Sequence, residues 1–155
     1  MSEFSMEKLA PLITEVVGEG GEFRLYPKGT SMRPLLRQGI DSVALASLNR
    51  SPKRGDILLY RRENGQYVLH RLMRRAKNGD LCFSGDNHMA LEHGIAETQV
   101  LAVVTAIFRG EKRRSAKGVF MSCYGRLMTV NAFKRLFFVA RHIRARLIRG
   151  IRKKG

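Results

Sequence analysis

Cysteines and long apolar runs are scarce in this sequence, and each scarcity excludes a class of protein. The two cysteines, Cys82 and Cys123, are too few for a disulfide framework and lack the spacing of metal ligands. We therefore predict reduced thiols, no metal site and no cofactor. No stretch approaches the roughly 20 apolar residues that cross a bilayer. Because Glu3 and Glu7 stand where a secretory leader would be basic and then apolar, we expect a cytoplasmic protein, with peripheral membrane contact as its alternative placement.

Acidic residues are almost missing from the last third of the chain. Residues 111–155 hold 14 Lys and Arg against one acid, Glu111, for a net charge of +13, whereas residues 1–110 carry only +3. A nearly neutral body with a strongly basic C-terminal segment is typical of a protein that contacts an anionic surface. The candidate surfaces are lipid headgroups and nucleic acid.

Hydrophobic spacing divides the 155 residues into three parts. Residues 1–21 predict a short N-terminal helix, with Ser5 as candidate N-cap and Gly18 as its end. Residues 22–110 predict five or six short strands in a compact, coiled, mainly β body. Residues 109–118 are interpreted as a polar linker. Within residues 111–155, apolar positions recur at three- and four-residue steps from Phe133 to Ile151, which predicts a basic amphipathic helix.

The candidate nucleophile lies in residues 29–34 (GTSMRP), directly after a predicted strand. A serine hydroxyl such as that of Ser31 is a poor nucleophile unless a base removes its proton. Gly29 allows close backbone approach, and Pro34 restricts the chain beyond the serine. Such a loop is usually only a structural turn, so its significance depends on other segments.

Three further segments make a functional role for the Ser31 loop more plausible than a structural turn: residues 53–57 (KRGDI), 68–72 (VLHRL) and 84–87 (SGDN). In this order and with these gaps, the four segments resemble the signal peptidases and their LexA-like relatives, over about residues 23–108. The closest likeness is to the Ser/His branch found in eukaryotes, archaea and some spore-formers. The resemblance implies a coiled β fold and a serine endopeptidase that cleaves a leader, signal or pro-segment peptide.

The resemblance also assigns roles to matching residues. Ser31 takes the nucleophile position, and His70 takes the general-base position, which is a lysine in many bacterial signal peptidases. Asp86 matches the aspartate of the family's Gly-Asp-Asn motif and is the preferred partner for the imidazole. Glu92, six residues further on, is the alternative acid. Met32 stands where the family lines its substrate groove.

The chemistry of these residue types agrees with those roles. A histidine with an ordinary pKa of about 6.5 is mostly neutral at pH 7 and can accept a proton, and an adjacent acid would fix its tautomer. The Ser31 backbone N–H is the first candidate donor to an oxyanion. Gly29 departs from relatives that place a second donor serine there, so the second donor is unassigned.

Each candidate also has a structural interpretation. A single histidine in a strand, such as His70, is usually a packing residue with its hydrogen bonds satisfied. Asp86 before Asn87 is typical of an Asx-turn. The sequence shows neither the transmembrane tether of signal peptidases nor the DNA-binding domain of repressor relatives. The alternative function is therefore a non-catalytic peptide-binding or regulatory protein of the same fold, at a membrane or nucleic acid. For the C-terminal helix, we favour an anionic membrane over packing on the body. Nucleic acid is disfavoured because no stacking platform is evident. The oligomeric state is left open.

Overall fold

The computed structural model describes residues 6–152, except for the side chains of residues 141–142 and 145–152. Within that part of the chain, eight strands form one antiparallel sheet: β1 (Phe23–Leu25), β2 (Asp41–Ala46), β3 (Ile57–Arg61), β4 (Tyr67–Arg75), β5 (Leu81–Ser84), β6 (Glu92–Ile95), β7 (Val100–Arg109) and β8 (Lys112–Ser115). Neighbouring strands follow the order β1-β2-β7-β3-β4-β5-β6, and β8 pairs with β7. Three α-helices complete the fold: α1 (Met6–Gly18), α2 (Val119–Met128) and α3 (Asn131–Arg152). The predicted mainly β class is confirmed.

Several predicted elements are confirmed in place. The N-terminal helix ends at Gly18 as expected, although its candidate N-cap, Ser5, lies outside the described residues. The Asn64-Gly65 turn joins β3 to β4, and Gly65 has a φ of +85°. That backbone conformation carries no Cβ penalty for glycine, which is why such a pair predicts a tight hairpin.

The prediction of a polar linker over residues 109–118 is wrong. β7 extends to Arg109, and Lys112–Ser115 returns along it as β8, so the proposed boundary after residue 110 falls within a hairpin turn. All four β8 side chains are exposed. Backbone pairing with β7 and the ion pair between Arg113 and Glu22 hold this edge strand without apolar burial, so it leaves no apolar alternation in the sequence.

The C-terminal helix predicted over residues 133–151 corresponds to α3, and the structure adds a second C-terminal helix, α2, before it. α2 ends at Met128, and the Thr129 hydroxyl and N–H both donate to the Arg126 carbonyl. Such local side-chain bonds compete with a continuing helix. None of the described helices is long and apolar enough to span a bilayer.

The core comprises two hydrophobic clusters, because β3 is buried on both faces. Ile57 and Leu59 join the cluster that includes α1, whereas Leu58 and Tyr60 join the second cluster. Successive strand side chains point to opposite faces, which explains the unbroken apolar run of β3. The first cluster also holds Met32, so the residue after the candidate nucleophile is part of the core.

Candidate active site

The Ser31 loop connects β1 to β2 and is held from below by apolar side chains. Met32 and Leu36 are buried, and the Leu36 N–H donates to the Met32 carbonyl at 3.0 Å. Ser31 itself is half-buried and lines a depression of about 130 Å³ together with Gly29, Met32 and Leu69. The burial of its neighbours therefore fixes the loop while leaving the serine at the surface.

Donors for an oxyanion differ in their availability around this loop. The Gly29 N–H already donates to the Gln38 side-chain oxygen at 3.1 Å. In the described part of the chain, the Ser31 N–H makes no hydrogen bond. Of these two N–H groups, only that of Ser31 is left available as a donor, and Gly29 serves as a turn residue with a φ of +88°.

A second loop, residues 85–87, packs directly on Ser31. The Asn87 N–H donates to the Ser31 carbonyl at 2.7 Å, and the Asn87 side-chain amide donates to the Thr30 carbonyl at 3.1 Å. A Cβ on Gly85 would lie 2.5 Å from the Ser31 carbonyl oxygen. Only glycine permits this approach, so the glycine of the 84–87 segment is explained by its contact with the nucleophile loop.

His70 lies on β4 and is almost entirely buried, with 8% of its surface exposed. Its Nδ1 is 3.4 Å from the Tyr60 hydroxyl oxygen and 4.0 Å from Glu92 Oε2. Burial lowers the pKa of His70 to about 4, although the nearby Glu92 carboxylate acts to raise it. The imidazole is therefore neutral at pH 7.

The hydrogen-bond network around His70 assigns its tautomer. The Tyr60 hydroxyl has a single proton, which it donates to Glu92 Oε2 at 2.7 Å. Tyr60 can therefore only accept from His70, which places the imidazole proton on Nδ1 and leaves Nε2 as the acceptor. Burial, followed by the hydrogen bond to Glu92, raises the pKa of Tyr60 far above its usual range.

Glu92 is the carboxylate nearest to His70, and an arginine holds it in its charged form. The Arg62 guanidinium binds both oxygens of Glu92, with Nη2 2.7 Å from Oε2. Burial acts to raise the pKa of Glu92, but the hydrogen bonds from Arg62 and Tyr60 outweigh burial and lower it. A fixed negative charge beside Nδ1 is the arrangement that stabilises an imidazolium.

Asp86, which the sequence favoured as the partner of the His70 imidazole, is paired with a different residue in the structure. Its two oxygens accept from Arg71 Nε and Nη2 at 2.7 Å each, and both side chains are at most 2% exposed. A third Arg71 nitrogen donates to the Gly55 carbonyl at 2.7 Å. Asp86 is thus the partner of a buried arginine and makes no hydrogen bond to His70. Motif position alone could not show this, because His70 and Arg71 are adjacent on one strand but point to opposite faces.

Lys134 was not singled out from the sequence, yet it reaches the same loop. This α3 residue is 2% exposed, and its Nζ donates to the Ser84 hydroxyl at 2.7 Å and to the Gly85 carbonyl at 2.8 Å. Burial lowers its pKa. Residues four apart share a helix face. The position of Lys134 four residues before Phe138, which is half-buried, was therefore the sequence signal that Lys134 faces the body.

Ser31 and His70 lie on either side of Gly85. The strand register pairs Arg71 with Ser84, which brings His70 beside Gly85, the residue that contacts Ser31. His70 and Glu92 line a groove of about 430 Å³, whereas Ser31 lines a separate, smaller depression that shares no lining residue with that groove. In the described part of the chain, no hydrogen bond joins the Ser31 hydroxyl to His70. The structure therefore brings the two residues into one neighbourhood without direct contact.

All four sequence segments meet in a single hydrogen-bonded network. Segment 29–34 bonds to 84–87 through Ser31 and Asn87, and segment 84–87 bonds to 68–72 through the Asp86–Arg71 pair. Segment 68–72 bonds to 53–57 at several points: the Gly55 N–H donates to the Leu72 carbonyl at 2.8 Å, the Leu72 N–H donates to the Asp56 carbonyl at 2.8 Å, and Arg71 binds the Gly55 carbonyl. Segments that are far apart in the sequence are thus directly connected.

The described residues include no group of His, Cys, Asp and Glu side chains that could hold a metal ion. His93 Nδ1 instead lies 3.3 Å from the Cys82 sulfur, His88 packs near His70, and the side chain of His142 lies outside the described residues. Comparison with known proteins adds no assignment, since no family model, curated protein or solved structure matches the chain.

Proposed function

We propose that this chain is a serine endopeptidase that cleaves a leader, signal or pro-segment peptide, on a β fold of the signal-peptidase/LexA-like type. The observation that carries the proposal is the network that joins the four resembling segments through Ser31, Asp86 and Arg71, the neighbour of His70 on β4. Segments that merely form separate turns have no reason to share one hydrogen-bonded network, in which the 84–87 segment contacts Ser31 directly. Their convergence is expected if they build one active site.

The proposed reaction is acyl transfer through Ser31. The Ser31 oxygen attacks the scissile carbonyl carbon while His70 Nε2 accepts the hydroxyl proton, and the Ser31 N–H donates to the resulting oxyanion. Collapse breaks the C–N bond, and the proton on His70 passes to the leaving amine. Water then attacks the acyl-enzyme by the same route and releases the acid. Glu92, through Tyr60, stabilises the imidazolium at each proton transfer.

The test is covalent labelling of Ser31 with a serine-reactive acylating probe, mapped by mass spectrometry. We expect Ser31 to be modified in the wild type, and labelling of that site to be lost in Ser31→Ala and reduced about 100-fold or more in His70→Gln. Ser122→Ala is the matched control, because Ser122 is an exposed serine on α2. Equal labelling of wild type and His70→Gln would contradict the proposed pair.

The pH dependence of labelling tests the base independently. His70 must be neutral to accept a proton, and its pKa is lowered to about 4. The labelling rate should therefore rise with pH through about pH 4 and not through the ordinary histidine value. In Glu92→Gln the negative charge beside the imidazole is removed, so the rate at its plateau should fall while Ser31 stays accessible. A rise centred near pH 6.5 would contradict the burial of the active base.

A second candidate is a non-catalytic peptide-binding or regulatory protein. It is favoured by one observation, the missing hydrogen bond between the Ser31 hydroxyl and His70. Catalytic hydrogen bonds often tighten only in the substrate complex, so we place this candidate second. Absence of labelling in a folded wild type, together with peptide binding unchanged in Ser31→Ala and His70→Gln, would favour it.

A further inference from the structure

Exposed apolar side chains are concentrated on the two C-terminal helices and the turn between them. Seven of the eleven large apolar side chains that are exposed in the described residues lie there: Val119, Phe120, Leu127, Val130, Leu136, Val139 and Ile143. Phe120 is 75% exposed and Leu136 is 66% exposed. Clustered exposure of this kind marks an interaction surface, whereas scattered exposed apolar residues need no explanation.

On α3 the exposed apolar residues form one stripe. Leu136, Val139 and Ile143 are spaced by three and four residues and therefore share a helix face. Lys134 is buried against the Gly85 carbonyl and anchors the first turn of α3 to the sheet. The stripe is thus exposed on a helix that is already attached to the body, with its other side occupied.

Positive charge accompanies this apolar surface. Arg135 and Arg144 are exposed on α3. Beside α2, a cleft of about 490 Å³ between the helix and the sheet is lined by six basic side chains (Arg50, Lys53, Arg54, Arg71, Lys117 and Arg126) and one acid, Asp56. The Asp56 carboxylate is already held by Arg50 at 2.8 Å and 2.9 Å. Arg71 is likewise paired with Asp86. The excess positive charge of the cleft therefore comes from Lys53, Arg54, Lys117 and Arg126, and it is chemically suited to phosphate groups.

We propose that α2 and α3 dock on an anionic phospholipid bilayer, with apolar side chains in the acyl boundary and basic side chains on headgroup phosphates. Charge argues against a second copy of this chain as the partner of the surface. Residues 111–155 carry +13, and a second copy would bring the same charge and be repelled. Nucleic acid would satisfy the charge but offers no apolar phase to Phe120 or Leu136. An amphipathic basic helix at a bilayer interface satisfies both properties. This surface goes beyond the peptidase proposal and does not depend on it.

The experiment is vesicle co-sedimentation of the full chain, with vesicles of phosphatidylcholine alone and with one third phosphatidylglycerol. We expect binding only to the anionic vesicles, weakened strongly by raising salt from about 50 to about 500 mM. The double variant Leu136→Asp, Val139→Asp should lower the partition coefficient roughly 10- to 30-fold, since it removes apolar area from the interface. Leu12→Asp, at an exposed apolar position on α1, is the matched helical control and should bind as the wild type does.

Each other outcome overturns the proposal. Equal binding to both vesicle types would exclude the anionic headgroup, and no binding to either would exclude the bilayer. Vesicle binding that is unchanged in the double variant would exclude the α3 stripe. If sedimentation shows a wild-type oligomer that the double variant abolishes, the occupant is a second copy. If duplex DNA competes with vesicles and binds the variant equally well, the charge serves nucleic acid. Circular dichroism of each variant checks that these exposed substitutions leave the fold intact.

Discussion

His70 should make the stability of this protein depend on pH in the mildly acidic range. In the unfolded chain its pKa takes the ordinary value of 6.5, whereas burial lowers it to about 4 in the folded protein. Between these values the unfolded state binds more protons, so the folded state loses stability as the pH falls. The contribution is fully present above about pH 6.5. The difference between the two pKa values corresponds to about 3 kcal/mol of unfolding free energy, lost by about pH 4.

Urea denaturation of wild type and His70→Gln, from neutral pH down to about pH 4, measures this contribution. Glutamine keeps a polar side chain at the site but does not titrate, so the variant should lose less stability on acidification than the wild type by about 3 kcal/mol. His93→Gln, at an exposed position on β6, is the control for removal of a histidine and should follow the wild type. Parallel curves for wild type and His70→Gln would contradict this prediction, because they would show that His70 titrates alike in the folded and unfolded states.

Two further predictions concern the loop of residues 85–87, which packs on Ser31. Asp86→Asn should lower the unfolding free energy by about 3–5 kcal/mol in urea denaturation, since it leaves the buried Arg71 charge unpaired; a loss within about 1 kcal/mol would show that the pair is solvated. Gly85→Ala should abolish labelling of Ser31, because the new Cβ would lie 2.5 Å from the Ser31 carbonyl oxygen. Gly18→Ala, whose Cβ would meet no atom within 4 Å, should leave labelling unchanged, and equal labelling of both variants would contradict the contact.

Local signals in the sequence were sufficient for most of the β body. The hairpin between β3 and β4 was predictable because Asn64-Gly65 supplies the required backbone conformation, and β3 because ILLY at residues 57–60 is apolar throughout. β8 could not be predicted, since its four exposed side chains carry no apolar pattern and its contacts are tertiary: pairing with β7 and the ion pair between Arg113 and Glu22. α3 was predictable because apolar residues recur at three- and four-residue steps over residues 133–151. α2 was not predicted as a separate helix, and it ends where Thr129 bonds back to Arg126.

For the candidate site, the amino-acid sequence was sufficient to identify the residues of interest, because Ser31, His70, Asp86 and Glu92 are the types that acyl-transfer chemistry requires. It could not determine which carboxylate serves His70. That choice depends on which face of β4 each neighbour occupies and on pairing with β5 and β6: Arg71 takes Asp86 on one side, and Tyr60 brings Glu92 to the imidazole on the other. Hydrogen bonds and ion pairs act over a few ångströms between residues many positions apart, so only the tertiary structure decides their partners.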